Sequence, residues 1–364
     1  MLVKKGPWAG RRVLVTGHTG FKGGWLSLWL HQLGADVTGF ALPAPTEPSF
    51  FEQTRLRELI RHVEGDVRDP AAVEQVIADT RPEVIFHLAA QPLVRYSYDH
   101  PVETFASNVM GTVHVLDSCR RVAGVQAVVC ITTDKCYENR EWVWPYREDD
   151  PMGGHDPYSS SKGATELAIA AYRRSYFARS GPAVASVRAG NVIGGGDWAL
   201  DRLVPDLVRA LLAGERPVIR SPDSIRPWQH VLEALSGYVL LAERLLAGER
   251  EFATAFNFGP SDDDARPVSW MVERMLNHWG AEQGWTKPDG AQPHEAVLLK
   301  LDCSKARAML GWTPGLKLDQ ALEKVVSWHR AVAEGDDARA ISCQQLQEYW
   351  NVRGLMSVEQ QAWA

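Results

Sequence analysis

The sequence predicts an α/β fold: a doubly wound parallel sheet with a smaller C-terminal α/β unit. Three observations predict it. Short apolar runs alternate with helical patterns through the first half of the chain. The first run ends in a glycine-rich turn that opens a helix. After about residue 189 the alternation gives way to shorter elements broken by Pro and Gly.

Arg12–Thr16 is apolar and ends at glycine, the pattern of a buried parallel strand. Gly23–Leu33 carries Trp25, Leu26, Trp29, Leu30 and Leu33 at helical spacing and is closed by Gly34. Asp36–Phe40 and His62–Asp66 read as strands two and three, with a helix over Pro70–Thr80. Val84–Leu88 is strand four, followed by one long helix over Val102–Val122. Ala127–Thr132 is strand five, Asp156–Arg179 a helix, and Ala183–Val187 strand six. Helices then flank both faces of the sheet, and a ligand site falls beyond the carboxyl ends of the strands. Thr16, Asp66, Leu88 and Thr133 stand at such ends.

Further on, Gly194-Gly195-Gly196 is a loop, Leu203–Ala213 a helix, Arg216–Arg220 a short strand and Val231–Leu246 a helix. Residues 1–189 therefore form a dinucleotide-binding unit to which 230–258 returns. Residues 190–229 and 259–364 form a substrate-binding unit.

At 364 residues the chain is long enough for a large core and two such units. Its net charge of −6 argues against general nucleic-acid binding, so an anionic substrate needs a local arginine cluster. Cys119, Cys130, Cys136, Cys303 and Cys343 are odd in number and lack CxxC spacing; they read as reduced thiols, with no disulfide framework and no metal site. The basic start at Lys4-Lys5 leads into a strand instead of a secretory apolar run, and no apolar stretch is long enough to span a membrane. A cytoplasmic location is expected. The 14 tryptophans read as core or subunit contacts.

Gly17-x-x-Gly20-x-x-Gly23 lies between a strand and a helix, where glycines allow a pyrophosphate to approach backbone N–H groups. The cofactor candidates are Gly17, His18, Gly20, Phe21, Lys22 and Gly23 at this turn, with Leu88, Ala89, Ala90 and Asn108 beside it. Strand two ends in Gly39-Phe40-Ala41-Leu42, with neither a carboxylate for ribose hydroxyls nor an arginine for a phosphate. The residues alone leave NAD against NADP open. Asp66-Val67 either receives an adenine amino group or caps a turn before Pro70. His18 and His87 sit at strand ends as structural groups.

Tyr158 and Lys162 are four apart and share a helix face. An ammonium beside a phenol favours the phenolate, which then removes a proton from an alcohol. Thr133, 25 residues earlier, supplies a hydroxyl to the same oxygen. Asp134 and Lys135 follow directly at the same edge. Asn191 and Trp198 lie in a flexible strand-exit loop suited to a sugar. Arg202, Arg220 and Arg226 are the arginines available to a diphosphate, and Pro227 stiffens the loop that presents Arg226.

With TGHTGFKG at 16–23, HLAAQ at 87–91 and YSSSK at 158–162, the chain resembles an extended short-chain dehydrogenase/reductase, with its Rossmann-type fold. TTDK at 132–135, RAGNVIGGGDW at 188–198, RLVPD at 202–206 and RPWQHV at 226–231 narrow the resemblance to the nucleotide-sugar 4,6-dehydratases. TDK in place of TDE, with GHTGFKGGWL at 17–26, points to their CDP-glucose branch. The resemblance implies NAD as cofactor, held loosely, and a nucleotide sugar touched by Gln91, Asn191, Trp198, Arg202, Leu203, Arg220 and Arg226. It implies a homodimer or dimer of dimers built on the helices at 102–122 and 156–179, and deoxysugar supply for lipopolysaccharide O-antigen. It assigns proton abstraction to Tyr158, ribose contact and tuning to Lys162, and protonation of the leaving hydroxyl to Asp134. Lys135 stands where relatives carry a glutamate base; it is either a neutral base or a protonated stabiliser of the enolate. A 4-epimerase on the same fold is the alternative reading.

Overall fold

The computed structural model describes residues 6–288 and 298–354. Lys4 and Lys5 lie outside the described residues. The chain begins with β1 (Arg12–Thr16), α1 (Phe21–Gln32), β2 (Asp36–Ala41), α2 (Phe50–Gln53) and β3 (Arg61–Glu64). It continues through α3 (Pro70–Thr80), β4 (Val84–His87), α4 (Val94–Asp99), α5 (Pro101–Phe105), α6 (Gly111–Arg121) and β5 (Ala127–Ile131). Then come α7 (Pro157–Ser175), β6 (Ala183–Ala189), β7 (Asn191–Ile193), α8 (Leu203–Leu212), β8 (Ile225–Arg226) and β9 (Trp228–His230). The last elements are α9 (Val231–Leu246), β10 (Ala255–Phe258), β11 (Arg266–Pro267), α10 (Val268–Trp279), α11 (Leu318–Ala333) and α12 (Ala338–Arg353).

Seven strands form one sheet in the order β10-β6-β5-β4-β1-β2-β3, every pairing parallel. Alternate strand residues feed two cores, as the pleat requires. Val13, Val15, Phe86 and Val129 pack with α1 and α9 on one face; Leu14, Ile85, Val128 and Val184 pack with α3, α6 and α7 on the other. The strand order reverses between β1 and β4, which opens a crevice above that point.

The long helix expected over 102–122 is interrupted: α5 passes through a π-turn at Ala106–Met110 before continuing as α6. That turn places Asn108 in the interior. The strand expected at 216–220 is absent, because the segment makes only an isolated bridge from Val218 to Thr286. The returning segment supplies α9 against the sheet and β10 as its edge strand beside β6.

A second, smaller core gathers Val204, Leu207 and Val208 of α8, Met271 and Met275 of α10, and Leu322 and Val325 of α11. The helix α12 turns back onto α1, where Trp29 meets Tyr349 and Trp350 edge-on at 5.8 and 6.0 Å. All five cysteines are free thiols. No helix among the described residues is long and apolar enough to cross a membrane.

Candidate active site

Three strand exits converge at the crevice: β1 into Gly17, β4 into Leu88 and β5 into Thr133. Gly17 has φ +76°, and a Cβ there would stand 2.7 Å from the Ala89 nitrogen. A Cβ on Gly23 would stand 2.1 Å from the Gly17 carbonyl oxygen. Close approach therefore makes both positions glycine. Gly20 starts α1 without a side-chain cap, so the first amides of the helix are open to an anion. These features fit the pyrophosphate of a dinucleotide, with Phe21 and Lys22 following in the first turn.

The Thr16 hydroxyl accepts from the Ala89 N–H at 3.2 Å and lies 2.8 Å from His87 Nδ1. His87 Nε2 is 3.0 Å from the Thr112 hydroxyl, and burial pushes its imidazole down to about 3. It is a neutral brace. The His18 ring covers β2: a Cβ on Gly39 would fall 2.2 Å from it, which excludes any larger residue there. His18 Nε2 is 2.7 Å from His62 Nδ1, and burial lowers His18 to about 3. Asp66 Oδ1 accepts from the Arg68 backbone at 2.8 Å and Oδ2 from its guanidinium at 2.7 Å. These bonds brace the turn before Pro70. Val67 is buried, and its carbonyl lies 2.9 Å from His114 Nδ1.

Asn108 and Gln91 hold the wall of the crevice. Asn108 donates to the Gln91 carbonyl at 3.1 Å and the Ser161 hydroxyl at 2.8 Å. Its Oδ1 accepts from Gln91 N at 2.8 Å. The Gln91 amide donates to the Leu93 carbonyl and the Thr104 hydroxyl, and accepts from Leu93 N at 2.5 Å. Both side chains are thus committed to fixing the loop that carries Leu88, Ala89 and Ala90.

Asp156 caps α7, accepting from Ser159 N at 2.9 Å, and Pro157 opens the helix. Tyr158 thereby stands in the first turn, where the helix dipole favours negative charge. The Thr133 hydroxyl acts on its phenol. Burial pushes it up to about 12; the Thr133 hydrogen bond and the Arg202 charge work against that rise. Lys162, one turn on, is lowered by burial to about 8, opposed chiefly by Glu166. Arg202 also places a positive charge that favours the Tyr158 phenolate.

Thr133 donates to Asp134 Oδ1 at 2.9 Å, while Asp134 Oδ2 is buried without a protein partner. Burial raises the Asp134 carboxyl, favouring its protonated form. Lys135 is half-buried, and its backbone N–H donates to the Thr133 hydroxyl at 3.3 Å. Burial takes Lys22 down to about 8, with Arg202 and Lys162 adding to the fall and Asp134 and Asp197 opposing it. A carboxyl, three amines, a phenol and a hydroxyl thus gather beside a dinucleotide cradle. That set can move protons to and from a sugar held above the cradle.

The chain matches the family model described as GDP-mannose 4,6 dehydratase over residues 14–325. The chain belongs to that family. It is 52% identical to a CDP-glucose 4,6-dehydratase of Salmonella typhimurium, over 96% of this chain and 98% of that one. It is 29% identical to a UDP-glucose 4-epimerase of Mycolicibacterium smegmatis, over 88% of this chain and 98% of the relative. A dTDP-glucose 4,6-dehydratase from Streptomyces venezuelae, solved with NAD bound, superposes with a TM-score of 0.73 at 26% identity. That comparison covers 88% of this chain and 97% of the other.

Of the arginines in this member of the GDP-mannose 4,6-dehydratase family, Arg226 and Arg202 reach the site. Arg226 lies on the short β8 ribbon, half-buried, and its charge acts on Asp134. Arg202 precedes Leu203 at the start of α8 and pairs with Asp197 at 3.4 Å. Arg220 instead faces Asp201 at 3.7 Å, together with Arg95 at 3.3 Å. Asn191 opens β7 at the rim. The Trp198 indole donates to Gln53 at 2.8 Å and meets His329 edge-on. Glu166 took no part in the sequence reading of the site, and Arg188 and Asp197 entered it only as members of the 188–198 loop. Glu166 had a signal, being four residues beyond Lys162; the pairing of Asp197 with Arg202 had none.

Proposed function

We propose that this chain converts CDP-glucose to CDP-4-keto-6-deoxyglucose as an NAD-dependent hydro-lyase. The observation that carries the reading is the Thr133-Asp134-Lys135 exit. A simple 4-epimerase has no use for a buried acid and an amine beside the Thr-Tyr-Lys set. Tyr158 removes the C4 hydroxyl proton while Thr133 holds the same oxygen. NAD, held at the Gly17-x-x-Gly20-x-x-Gly23 turn, would supply the hydride acceptor for C4 and the hydride donor for C6. The resulting C4 ketone acidifies C5–H. Asp134, whose carboxyl burial raises towards its protonated form, gives a proton to the departing C6 hydroxyl, and Lys135 acts at C5. The test is the product, which must have lost one water.

Gly17, Gly20, Gly23, Leu88 and Ala89 form the cofactor cradle, with Lys162 at the nicotinamide ribose. Arg226 grips the diphosphate, since a net-acidic protein needs a fixed cation there. Arg226→Ala is expected to weaken CDP-glucose binding by about 1.5–3 kcal/mol, the range of a charged hydrogen bond. Unchanged affinity for both CDP-glucose and free CDP would remove Arg226 from the site.

NAD is preferred to NADP and bound modestly. Neither a carboxylate nor an arginine stands at the end of β2, in Phe40-Ala41-Leu42, and each missing hydrogen bond forgoes on the order of 1 kcal/mol. Purified protein is expected to carry little cofactor and to gain activity on addition of NAD; equal rates with NADP would refute the preference.

The enzyme works as a homodimer in the cytoplasm and supplies deoxysugars for surface polysaccharide such as O-antigen. Val102 and Phe105 of α5 and Leu167 of α7 are exposed apolar residues, which supports pairing of these helices. A monomer in sedimentation equilibrium would refute the dimer.

A further inference from the structure

Behind Lys162 lies a buried ion pair that the reaction as described does not use. Glu166 and Arg188 are 5% and 4% exposed and meet at 2.8 Å. Glu166 Oε1 accepts from the Thr132 hydroxyl at 2.5 Å, and Oε2 accepts from the Ser186 hydroxyl at 2.8 Å. Arg188 donates onward to the Tyr137 hydroxyl at 2.7 Å and the Glu148 carbonyl at 2.9 Å. Tyr137 donates to Asn257 of β10 at 2.7 Å. The network thus ties α7 to β5, β6 and the edge strand. Buried pairs of this kind add little stability over apolar residues of the same volume. Their value lies in what they hold in place.

Two catalytic elements are held. Thr132 directly precedes Thr133, so its bond to Glu166 sets the exit of β5. Lys162 is one helical turn before Glu166 on the same inward face. Lys22 from α1, His87 from β4, Cys130 from β5 and Cys136 from the following turn also face Lys162. Lys22 repels it. Burial keeps His87 uncharged, and it raises both thiols so that they too stay neutral. Glu166 is different: burial alone would raise its carboxyl, but the Arg188 charge and three hydrogen bonds hold it below the usual range. Among these groups, Glu166 is the one that carries negative charge.

We propose that Glu166, clamped by Arg188, is a positioning residue that supplies the countercharge of the Lys162 ammonium and locks the Thr132-Thr133 exit. This rests on Lys162 serving Tyr158 and the cofactor ribose in the proposed reaction. Loss of the Glu166 charge lets burial drive Lys162 further down, so function fails at lower pH on the alkaline side.

The experiment measures kcat/KM for CDP-glucose, and NAD affinity by calorimetry, from neutral to alkaline pH. Glu166→Gln is expected to move the alkaline limb of both down by on the order of one pH unit. Glu166→Asp is expected to return it towards the wild-type position. Should Glu166→Gln fold poorly, the double variant Glu166→Gln/Arg188→Met removes both charges together and is expected to show the same movement. Limbs that stay in place while only the melting temperature falls would overturn the proposal. A wild-type protein that binds NAD but does not dehydrate CDP-glucose would instead refute the functional reading. The NAD-binding arm would still judge Glu166.

Discussion

Tyr158→Phe is expected to lower turnover of CDP-glucose by roughly 10²–10⁴-fold, the contribution of a positioned acid or base. The substitution removes one hydroxyl from a buried ring in the first turn of α7. No backbone bond depends on that oxygen, because the helix start is held by Asp156 and by Tyr158 N donating to the Ser97 hydroxyl at 3.1 Å. The melting temperature is therefore expected to change little. Burial holds the phenol near 12, so proton transfer depends on the forces that oppose burial: Thr133, Arg202 and the helix N-terminus. Near-normal turnover in Tyr158→Phe would show that another group takes the C4 proton.

Lys135→Met is expected to leave the first oxidation intact and slow elimination by roughly 10²-fold or more. Lys135 is two residues beyond Thr133 in the short helix that Asp134 begins, and in the proposed reaction it serves a different carbon from Tyr158. The probe is substrate with deuterium at C5, followed for exchange with solvent. Loss of exchange in Lys135→Met, with partial recovery in Lys135→Glu, would place the C5 proton transfer at this position. If Lys135→Met exchanges C5 normally, Lys135 is not the base. Slow product formation with normal exchange would leave it the enolate-stabilising role.

The sheet was legible because its strands are buried on both faces and read as plain apolar runs, as at Val84–His87 and Ala127–Ile131. The turn of α7 that carries Tyr158 was legible because an Asp-Pro cap precedes Tyr158 by two residues. The π-turn at Ala106–Met110 was not, since one extra residue per turn leaves the helical pattern of 101–121 almost unchanged. Residues 216–220 have strand-like composition but face Thr286 through a single bridge, a pairing that local pattern does not encode. Arginine roles were least legible: Arg202, Arg220 and Arg226 look alike in sequence, and only the fold sends Arg220 to Asp201 and Arg226 towards Asp134. Glu166 and Arg188 are 22 residues apart and meet because β6 lies beneath α7.

The central claim is that this site oxidises, dehydrates and re-reduces one sugar. Incubation of the protein with CDP-glucose and NAD, followed by mass measurement of the nucleotide product, tests it most directly. The account predicts a CDP-linked ketone lighter than CDP-glucose by one water, with no net consumption of NAD. A product of unchanged mass, inverted at C4, would contradict it and assign the site to 4-epimerisation.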